Sequence, residues 1–149
     1  MPIDLMTQAG ERLLKTKETP WTVYPRPQLR RDSYVNLNGE WDLTVSASRR
    51  LPESYDQKIL VPFCPESRLS GIGRHFPDGA FLFYRRSFTL PEGFEKDRVL
   101  LHIGAADQAA QIYVNGVLLA THVGGYESFT VDITRALYSD WDENELVIC

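Results

Sequence analysis

The stretch AQIYVNGVLLATHVGGYESFTVDI, residues 110–133, decides the fold of this chain. Apolar and polar residues alternate before and after Asn115-Gly116, a dipeptide typical of the two-residue turn that joins antiparallel strands. Gly124-Gly125 follows, and glycine readily adopts the positive φ that a corner between two strands requires. The alternation resumes at residues 129–133. The stretch therefore predicts a hairpin, a corner and a third strand, each with one apolar face turned inward.

The same alternation recurs on both sides of this stretch and predicts about eight strands. They are residues 41–46, 57–62, 80–90, 98–104, the two arms of the hairpin at 110–123, 127–133 and 144–149. Turn-forming residues separate the strands, and Asn38-Gly39 is predicted to be such a turn before the first of them. The predicted fold class is all-β, an antiparallel jelly-roll β-sandwich.

Little helix is predicted. Asp4 is expected to cap a short N-terminal helix that runs to about Thr16. One face of this helix is apolar and consists of Met6, Ala9 and Leu13. Residues 21–34 contain two prolines and are expected to form an extended arm. Thr134 is expected to cap a single helical turn that ends at Leu137.

The strand pattern runs to the last residue of the chain. Residues 144–149, NELVIC, alternate as a strand does, and domains seldom stop inside a strand, because termini tend to be exposed. We expect residues 1–20 to form the N-terminal helix and arm. Residues 21–149 are then one β-sandwich domain, truncated at its last strand, of a longer protein.

Composition excludes several classes of function. The chain has 149 residues and a net charge of −4, which argues against a nucleic acid or an anionic membrane as partner. Its most basic cluster, RPQLRR at residues 26–31, is expected to be a solvated face. Two cysteines, Cys64 and Cys149, favour a reducing compartment, and the N-terminus lacks the apolar core of a signal peptide. We therefore expect a cytoplasmic protein.

An ordered set of segments carries a resemblance to a known family. The segments are YPRPQLRR, LNGEWDL, VPF, FYRRSFTLP, LLHIGAADQAAQIYVNGVLLATHVGGYESFTVDIT and NELVI. Together they resemble the N-terminal sugar-binding domain of glycoside hydrolase family 2, which includes β-galactosidases and β-glucuronidases. The resemblance covers about residues 21–149. One departure is Ser128, where family members often have proline, and it concerns only the stiffness of that turn.

The resemblance implies a jelly-roll first domain, an immunoglobulin-like second domain and a (β/α)₈ barrel that carries two catalytic glutamates. A chain of this length cannot contain the barrel, so no residue is assigned a catalytic role. Glu40 and Asp42 are the nearest approach to a carboxylate pair, but they alternate with Trp41 and are expected to face water. Asp132, at a strand end, is expected to accept backbone hydrogen bonds.

Neither a metal nor a cofactor is predicted. His122 could in principle be a metal ligand or a general base, but the other histidines, His75 and His102, stand at no ligand spacing from it. A structural role at the Gly124-Gly125 corner is the preferred interpretation.

The most irregular stretch is the loop at residues 63–79, and loops of this length are often functional. The resemblance implies that some loops of this domain reach toward the barrel and help to form its sugar pocket. The candidate substrate-binding residues are Arg74, His75, Asp78 and Phe81, with Phe76 as a second stacking surface. The alternative is that they pack against the rest of the parent protein.

Two functions follow from the sequence. The first is a non-catalytic domain that supports the barrel of an enzyme hydrolysing β-galactosides or β-glucuronides and helps to wall its sugar pocket. Its partners are the other domains and the carbohydrate substrate, and a homo-oligomer is left open. The second is an autonomous, lectin-like carbohydrate-binding module. Exposure of tryptophan discriminates between them. Trp21, Trp41 and Trp141 are scattered along the chain, and Trp41 is expected in the core, which favours the first function.

Overall fold

A computed structural model describes residues 6–24, 26–94, 97–138 and 142–149. One α-helix, α1 (Gln8–Thr16), precedes the strands in the described chain. The strands are β1 (Gly39–Ser46), β2 (Gln57–Val61), β3 (Phe81–Phe88), β4 (Leu100–Ile103), β5 (Ala109–Val114), β6 (Val117–Val123), β7 (Phe129–Asp132) and β8 (Asn144–Ile148). Single 3₁₀ turns lie at Pro27–Leu29, Arg68–Ser70 and Thr134–Ala136.

The strands form two antiparallel layers. Six of them make one sheet in the order β2-β1-β3-β8-β5-β6, and β4 and β7 pair as a second, smaller sheet. The inward residues of both layers form one hydrophobic cluster, to which β1 contributes Trp41 and Leu43 and the small sheet contributes Val131. The expected all-β sandwich is confirmed, and each predicted strand is present. Among the described residues, no helix has the length and apolarity needed to cross a membrane.

Strand β1 fixes the register of the large sheet. Trp41 pairs with Ile59 of β2, and Leu43 pairs with Tyr84 of β3, so these side chains share the core face. The Trp41 indole is 4% exposed, and its Nε1 donates a hydrogen bond of 2.7 Å to the carbonyl of Leu37. A buried indole N–H needs a hydrogen-bond acceptor. This bond therefore links Leu37, in the segment before β1, to the ring that β1 buries.

The large sheet is also covered on its outer face, the side that carries Asp42, Phe83, Arg85 and Val147. Phe83 and Val147 are 0% and 2% exposed, yet neither belongs to the central cluster. Their burial was not anticipated from the sequence, in which Leu82, Tyr84 and Phe88 share the other face of that strand. Those three do pack against the core, so β3 is covered on both sides.

The hairpin turn is held by the side chain of its asparagine. Asn115 and Gly116 have φ of 50° and 78°, as the predicted two-residue turn requires. The Asn115 amide donates to Ala136 O and Asn144 Oδ1, both at 2.8 Å, and its oxygen accepts from Glu145 N at 2.8 Å. The Asn115 side chain thereby links the hairpin turn to β8 and to the 3₁₀ turn that precedes β8.

The corner after β6 is packed as well as bent. Gly124 has φ of 135°, and a side chain at Gly125 would collide with Asp107. The imidazole of His122 stacks on Phe129 with ring centroids 4.0 Å apart, and its Nε2 lies 3.1 Å from Gly124 O. The histidine therefore holds the corner against β7, in line with the structural interpretation.

Several local predictions are corrected by the structure. The residue that caps α1 is Thr7, whose hydroxyl accepts from Gly10 N at 3.1 Å, while Asp4 lies outside the described residues. The buried residue of α1 is Gly10, which lies against Met6 and Leu69, whereas Ala9 is exposed. Ala9 therefore does not take the covered position expected of it.

Two further corrections concern turns. Asn38-Gly39 is no hairpin turn, since Gly39 begins β1 and the Asn38 amide binds the carbonyls of Pro20 and Trp21 in the arm. Thr134 is the first residue of its 3₁₀ turn and not its cap. Its hydroxyl donates to Asp132 and accepts from Val99 N. Asp132 also accepts from Thr134 N at 3.1 Å, as the sequence predicted.

Replacement of Trp41 by alanine tests the central register. We expect Trp41→Ala to lower the free energy of unfolding by about 3–5 kcal/mol, because it empties a packed site and leaves the Leu37 carbonyl unpaired. Chemical denaturation measures the change. Trp21→Ala is the matched control, since the Trp21 side chain is 69% exposed, and it should cost less than about 0.5 kcal/mol. Equal losses in the two variants would contradict the register.

Candidate functional site

The loop at residues 63–79 is built around one buried serine. Ser70 is 1% exposed, and its Oγ lies 2.7 Å from Ser67 O and 3.2 Å from Pro65 O. The same oxygen accepts from Ile72 N at 3.0 Å. The Ser67 hydroxyl in turn accepts from Leu69 N. Hydrogen bonds of this kind fix a loop that has no strand partners, so the loop is ordered by its own polar groups.

The predicted residue Arg74 is fixed against the sheet. Its Nη2 donates to Gln57 Oε1 at 2.9 Å, and its guanidinium carbon lies 5.1 Å from the centre of the Phe76 ring. Phe76 itself packs against the core. Phe76 therefore has one side on the core and a guanidinium over its ring, and it does not offer an open surface for stacking.

His75 and Asp78 point into solvent. The His75 side chain is 88% exposed, and its Nδ1 lies 3.4 Å from Glu66 Oε1. Asp78 is exposed, and a single residue separates it from Phe76. Exposed groups of this kind are available to a ligand or partner, but neither is buried or preorganised.

Phe81 lies on the opposite side of the large sheet from Phe76, which packs against the core. It pairs with Ser46 and shares the outer face with Phe83, and the Arg49 guanidinium stands 5.1 Å from its ring centre. Arg74 and Phe76 belong to the core side. The structure thus brings Arg74, His75 and Asp78 together in one loop and separates Phe81 from them.

A charged network on the outer face was missed by the sequence reasoning. Asp42 Oδ1 lies 2.6 Å from Lys58 Nζ, and Asp42 Oδ2 accepts from Arg85 Nη2 and Nε at 2.7 and 3.1 Å. Arg85 also stacks on Tyr55, 4.2 Å from the ring centre, and lies 3.8 Å from Glu145. The sequence feature that could have predicted this network is the presence of charged residues that alternate with core residues on neighbouring strands.

The network controls the ionisation of its members. Hydrogen bonds from Lys58 are the largest cause that lowers the pKa of Asp42 below its usual value, and those from Arg85 add to them. Burial raises the pKa of Tyr55 to about 12, and the nearby Glu145 carboxylate adds to the rise. Asp42 is therefore an anion and Tyr55 a neutral phenol at neutral pH.

This arrangement suits structure better than catalysis. A general acid needs a pKa near the working pH, whereas the pKa of Asp42 is lowered, away from that range. Both Asp42 oxygens are occupied by cations, and Glu40 is 67% exposed with Lys58 3.4 Å away. Asp42 is 24% exposed, so the expectation that it faces open water is only half right. In the part of the chain that the structure describes, no three His, Cys, Asp or Glu side chains could hold a metal ion.

An aromatic pair with one exposed ring lies where the arm meets the start of the loop. Trp21 is 69% exposed, and its ring centre is 5.8 Å from that of Phe63. Trp41 is in the core, and Trp141 lies outside the described residues. The spacing of the tryptophans in the sequence did not reveal this pair.

Comparison with known proteins places the fold in a family. Residues 80–149 match the family described as "Glycosyl hydrolase 2 galactose-binding domain-like". A β-glucuronidase from Paenibacillus borealis is 43% identical over 123 residues, which cover 76% of this chain and 20% of that protein. A β-galactosidase from Thermoanaerobacter pseudethanolicus is 32% identical over 122 residues, which cover 76% of this chain and 16% of that protein.

A solved structure agrees with these relatives. The β-glucuronidase from Bifidobacterium dentium, complexed with coumarin-3-O-glucuronide, superposes with a TM-score of 0.57 at 30% identity. The match covers 75% of this chain and 19% of that one. This chain thus spans about a fifth of the length of the curated relatives it matches.

The two-layer sandwich and its closed core define a galactose-binding-like β-sandwich domain. Within that class, the chain belongs to glycoside hydrolase family 2, whose N-terminal domain it resembles over most of its length.

Substitution of Asp42 tests the outer network and its pH dependence. A depressed folded-state pKa stabilises the fold above the unfolded value of 3.8, and this stabilisation is lost as the pH falls through the folded pKa. We therefore expect Asp42→Asn to cost about 1–2 kcal/mol at neutral pH, and the difference from wild type to vanish in acid. Urea denaturation as a function of pH measures both. Glu40→Gln, the exposed control, should cost less than about 0.5 kcal/mol. A loss for Asp42→Asn that persists unchanged in acid would contradict the assignment.

Proposed function

We propose that this chain is the non-catalytic N-terminal domain of a family 2 glycosidase that hydrolyses β-glucuronides or β-galactosides. The domain supports a catalytic barrel and helps to wall its sugar pocket. The observation that carries the proposal is the family match together with the small share of each relative that the chain covers. β-Glucuronide is the substrate to test first, because the 43% identical relative is a β-glucuronidase.

The chemistry of the described residues supports a non-catalytic role. A retaining glycosidase needs two carboxyl groups about 5–5.5 Å apart, one a proton donor and the other a nucleophile. The pair of Glu40 and Asp42 is closest to this in sequence, but Lys58 contacts both and Arg85 binds Asp42. A nucleophile held by two cations is poorly reactive, and the pKa of Asp42 is lowered by its cationic partners, whereas an acid catalyst needs a raised pKa.

The ordered loop at residues 63–79 supports the second part of the proposal. Its polar groups His75 and Asp78 are exposed, whereas Ser70 and Phe76 fix it to the sandwich. A wall of a shared pocket needs this combination, since a rigid base positions the groups that face the ligand. The partners proposed are the other domains of the parent protein and its carbohydrate substrate.

The compartment proposed is the cytoplasm. Cys64 is exposed and Cys149 is partly exposed, and both are free thiols. Unpaired, accessible thiols are typical of proteins that stay in a reducing environment.

The alternative function, an autonomous lectin-like module, is favoured by one observation. The exposed Trp21 supplies the solvent-facing aromatic surface that a sugar-binding module needs. Binding by the chain alone would support the alternative without contradicting the role in a larger enzyme.

Hydrolysis assays distinguish the activity of this chain from that of the proposed parent enzyme. We expect the purified chain to release no chromophore from nitrophenyl β-glucuronide or β-galactoside, because Glu40 and Asp42 are held by Lys58 and Arg85 and do not form an acid and a nucleophile. The protein encoded by the complete gene should hydrolyse one of the two. Turnover by the chain that survives repurification and co-elutes with it in gel filtration would contradict the non-catalytic role. Failure of the complete protein on both substrates would contradict the proposed parent activity.

A further inference from the structure

We propose that the edge strand β6 (Val117–Val123) is a dimerisation surface, on which β6 of a second copy of this chain pairs antiparallel around a twofold axis. The large sheets of the two copies then become one continuous sheet. The inference concerns this chain alone and is independent of any glycosidase activity of a longer protein.

The first observation is the position of β6 at the end of the large sheet. It pairs with β5 on one side, and no strand that the structure describes pairs with it on the other. The free backbone groups of such an edge can hydrogen bond to a further strand. Proteins that stay monomeric therefore protect their edges with charged side chains, proline, bulges or very short strands.

The second observation is that β6 has little of this protection. Its sequence, VLLATHV, contains no Lys, Arg, Asp, Glu or Pro, although 24% of the chain is charged. Three of its apolar side chains are exposed, Val117 by 52%, Leu118 by 47% and Val123 by 74%. The opposite edge of the same sheet is β2, which carries Lys58 and is followed directly by Pro62. Of these two edges, β6 is the one suited to pairing.

The hydrogen-bond pattern shows which backbone groups of β6 point away from the sheet. Gly124 N donates to Gln108 O at 2.8 Å, in the same register as the pairs of β5 and β6. Such bonds recur at every second residue of an antiparallel pair, so His122 also bonds to β5. The N–H and C=O groups of Thr121 and Val123 therefore face the open edge.

One register of the two copies uses all of these outward groups. With His122 at the twofold axis, Thr121 of each copy pairs with Val123 of the other, and each pair exchanges backbone hydrogen bonds in both directions. Both side chains are β-branched, exposed and on the same face, where such residues pack well across strands. The His122 ring is turned toward its own copy, since it stacks on Phe129 with centroids 4.0 Å apart.

The absence of charge is the reason to choose a second copy of this chain as the partner. Around a twofold axis each strand meets its own sequence, so a charged residue on β6 would lie near an equal charge and oppose pairing. An uncharged strand meets no such repulsion. Pairing of β6 with the β2 edge of another copy would instead be head-to-tail and would not close.

The contact is short, which limits its strength. The register of β6 with β5 shifts between Ile112 and Tyr113, so that Leu119 is an extra residue and residues 120–123 are the regular part of the strand. One short strand from each copy buries less than the roughly 1,200 Å² that is typical of stable complexes. We therefore expect a weak dimer with a Kd of about 100 μM.

Sedimentation equilibrium of the purified chain, at concentrations on either side of the expected Kd, tests the proposal. The mean mass should rise with concentration from that of a monomer to that of a dimer and no further, because a twofold contact closes at two copies.

Two variants assign the association to the edge. Thr121→Pro removes an outward N–H, and proline is tolerated at an edge position of this kind, so the monomer should remain folded by circular dichroism. Val123→Lys places a charge in the contact and decides the matter if Thr121→Pro unfolds. Each should raise the Kd at least about tenfold. Val23→Lys is the matched control, since Val23 lies in the arm and is 79% exposed, and it should associate as wild type does.

A mixture of variants tests the register. Because Val123 of one copy stands opposite Thr121 of the other, the charge of Val123→Lys lies opposite that of Thr121→Glu when the two variants pair. Each variant alone should associate more weakly than wild type, and an equimolar mixture should recover the association. A mixture of Val123→Lys with Val123→Glu should recover less of it, because those two charges are not directly opposite.

Four results would overturn the proposal. They are a folded wild type that stays monomeric well above the expected Kd, association that survives Val123→Lys, association that Val23→Lys weakens equally, and species that keep growing beyond a dimer. The last result would show a head-to-tail contact and not a twofold pairing of β6.

Discussion

The structure depends on the register of one strand, β1 (Gly39–Ser46). It lies between β2 and β3, and both of its faces are committed. Trp41 and Leu43 enter the core, and Asp42 between them binds Lys58 and Arg85 on the neighbouring strands. A slip by one residue would place Asp42 in the apolar core and Trp41 among charges, because side chains alternate with a period of two. Both faces therefore enforce the same alignment.

That constraint separates the parts of the chain that make the fold from those available for function. The inner face is filled by the small sheet, and the loop at residues 63–79 packs on it through Ile72 and Phe76. The outer face carries an ion network whose charged groups are already paired with one another. Side chains that are exposed and could contact another molecule lie on the loop and on the arm that precedes β1. This distribution is expected of a supporting domain, because its two sheet faces are occupied by its own contacts and its loop and arm face other molecules.

The sequence predicted the sandwich because alternation is a local signal. Val99, Ile103, Val131 and Ile133 stand at alternating positions of the predicted strands at residues 98–104 and 127–133, and all four are buried. Contacts between distant residues were not predictable in this way. Arg85 reaches Asp42 across 43 residues, and Phe83 is buried on the side opposite to its apolar neighbours. Phe81 was grouped with Arg74 because the two are near in sequence, but Arg74 lies in the loop and binds Gln57, whereas Phe81 begins β3 on the outer face of the large sheet. The role of Ser70 was also invisible, since a serine in a loop is ordinarily exposed.

The central claim is that this chain closes its own core around β1 without help from another domain. Amide hydrogen exchange of the isolated chain, resolved by residue with NMR, tests it most directly. The account predicts that the slowest amides belong to β1 and its partners in the middle of the large sheet, and that they exchange only through global unfolding. The arm and the edge strand β6 should exchange much faster. If the amides of Trp41 and Leu43 exchanged as fast as those of the arm, the sandwich would owe its order to the rest of a larger protein, and the account would be wrong.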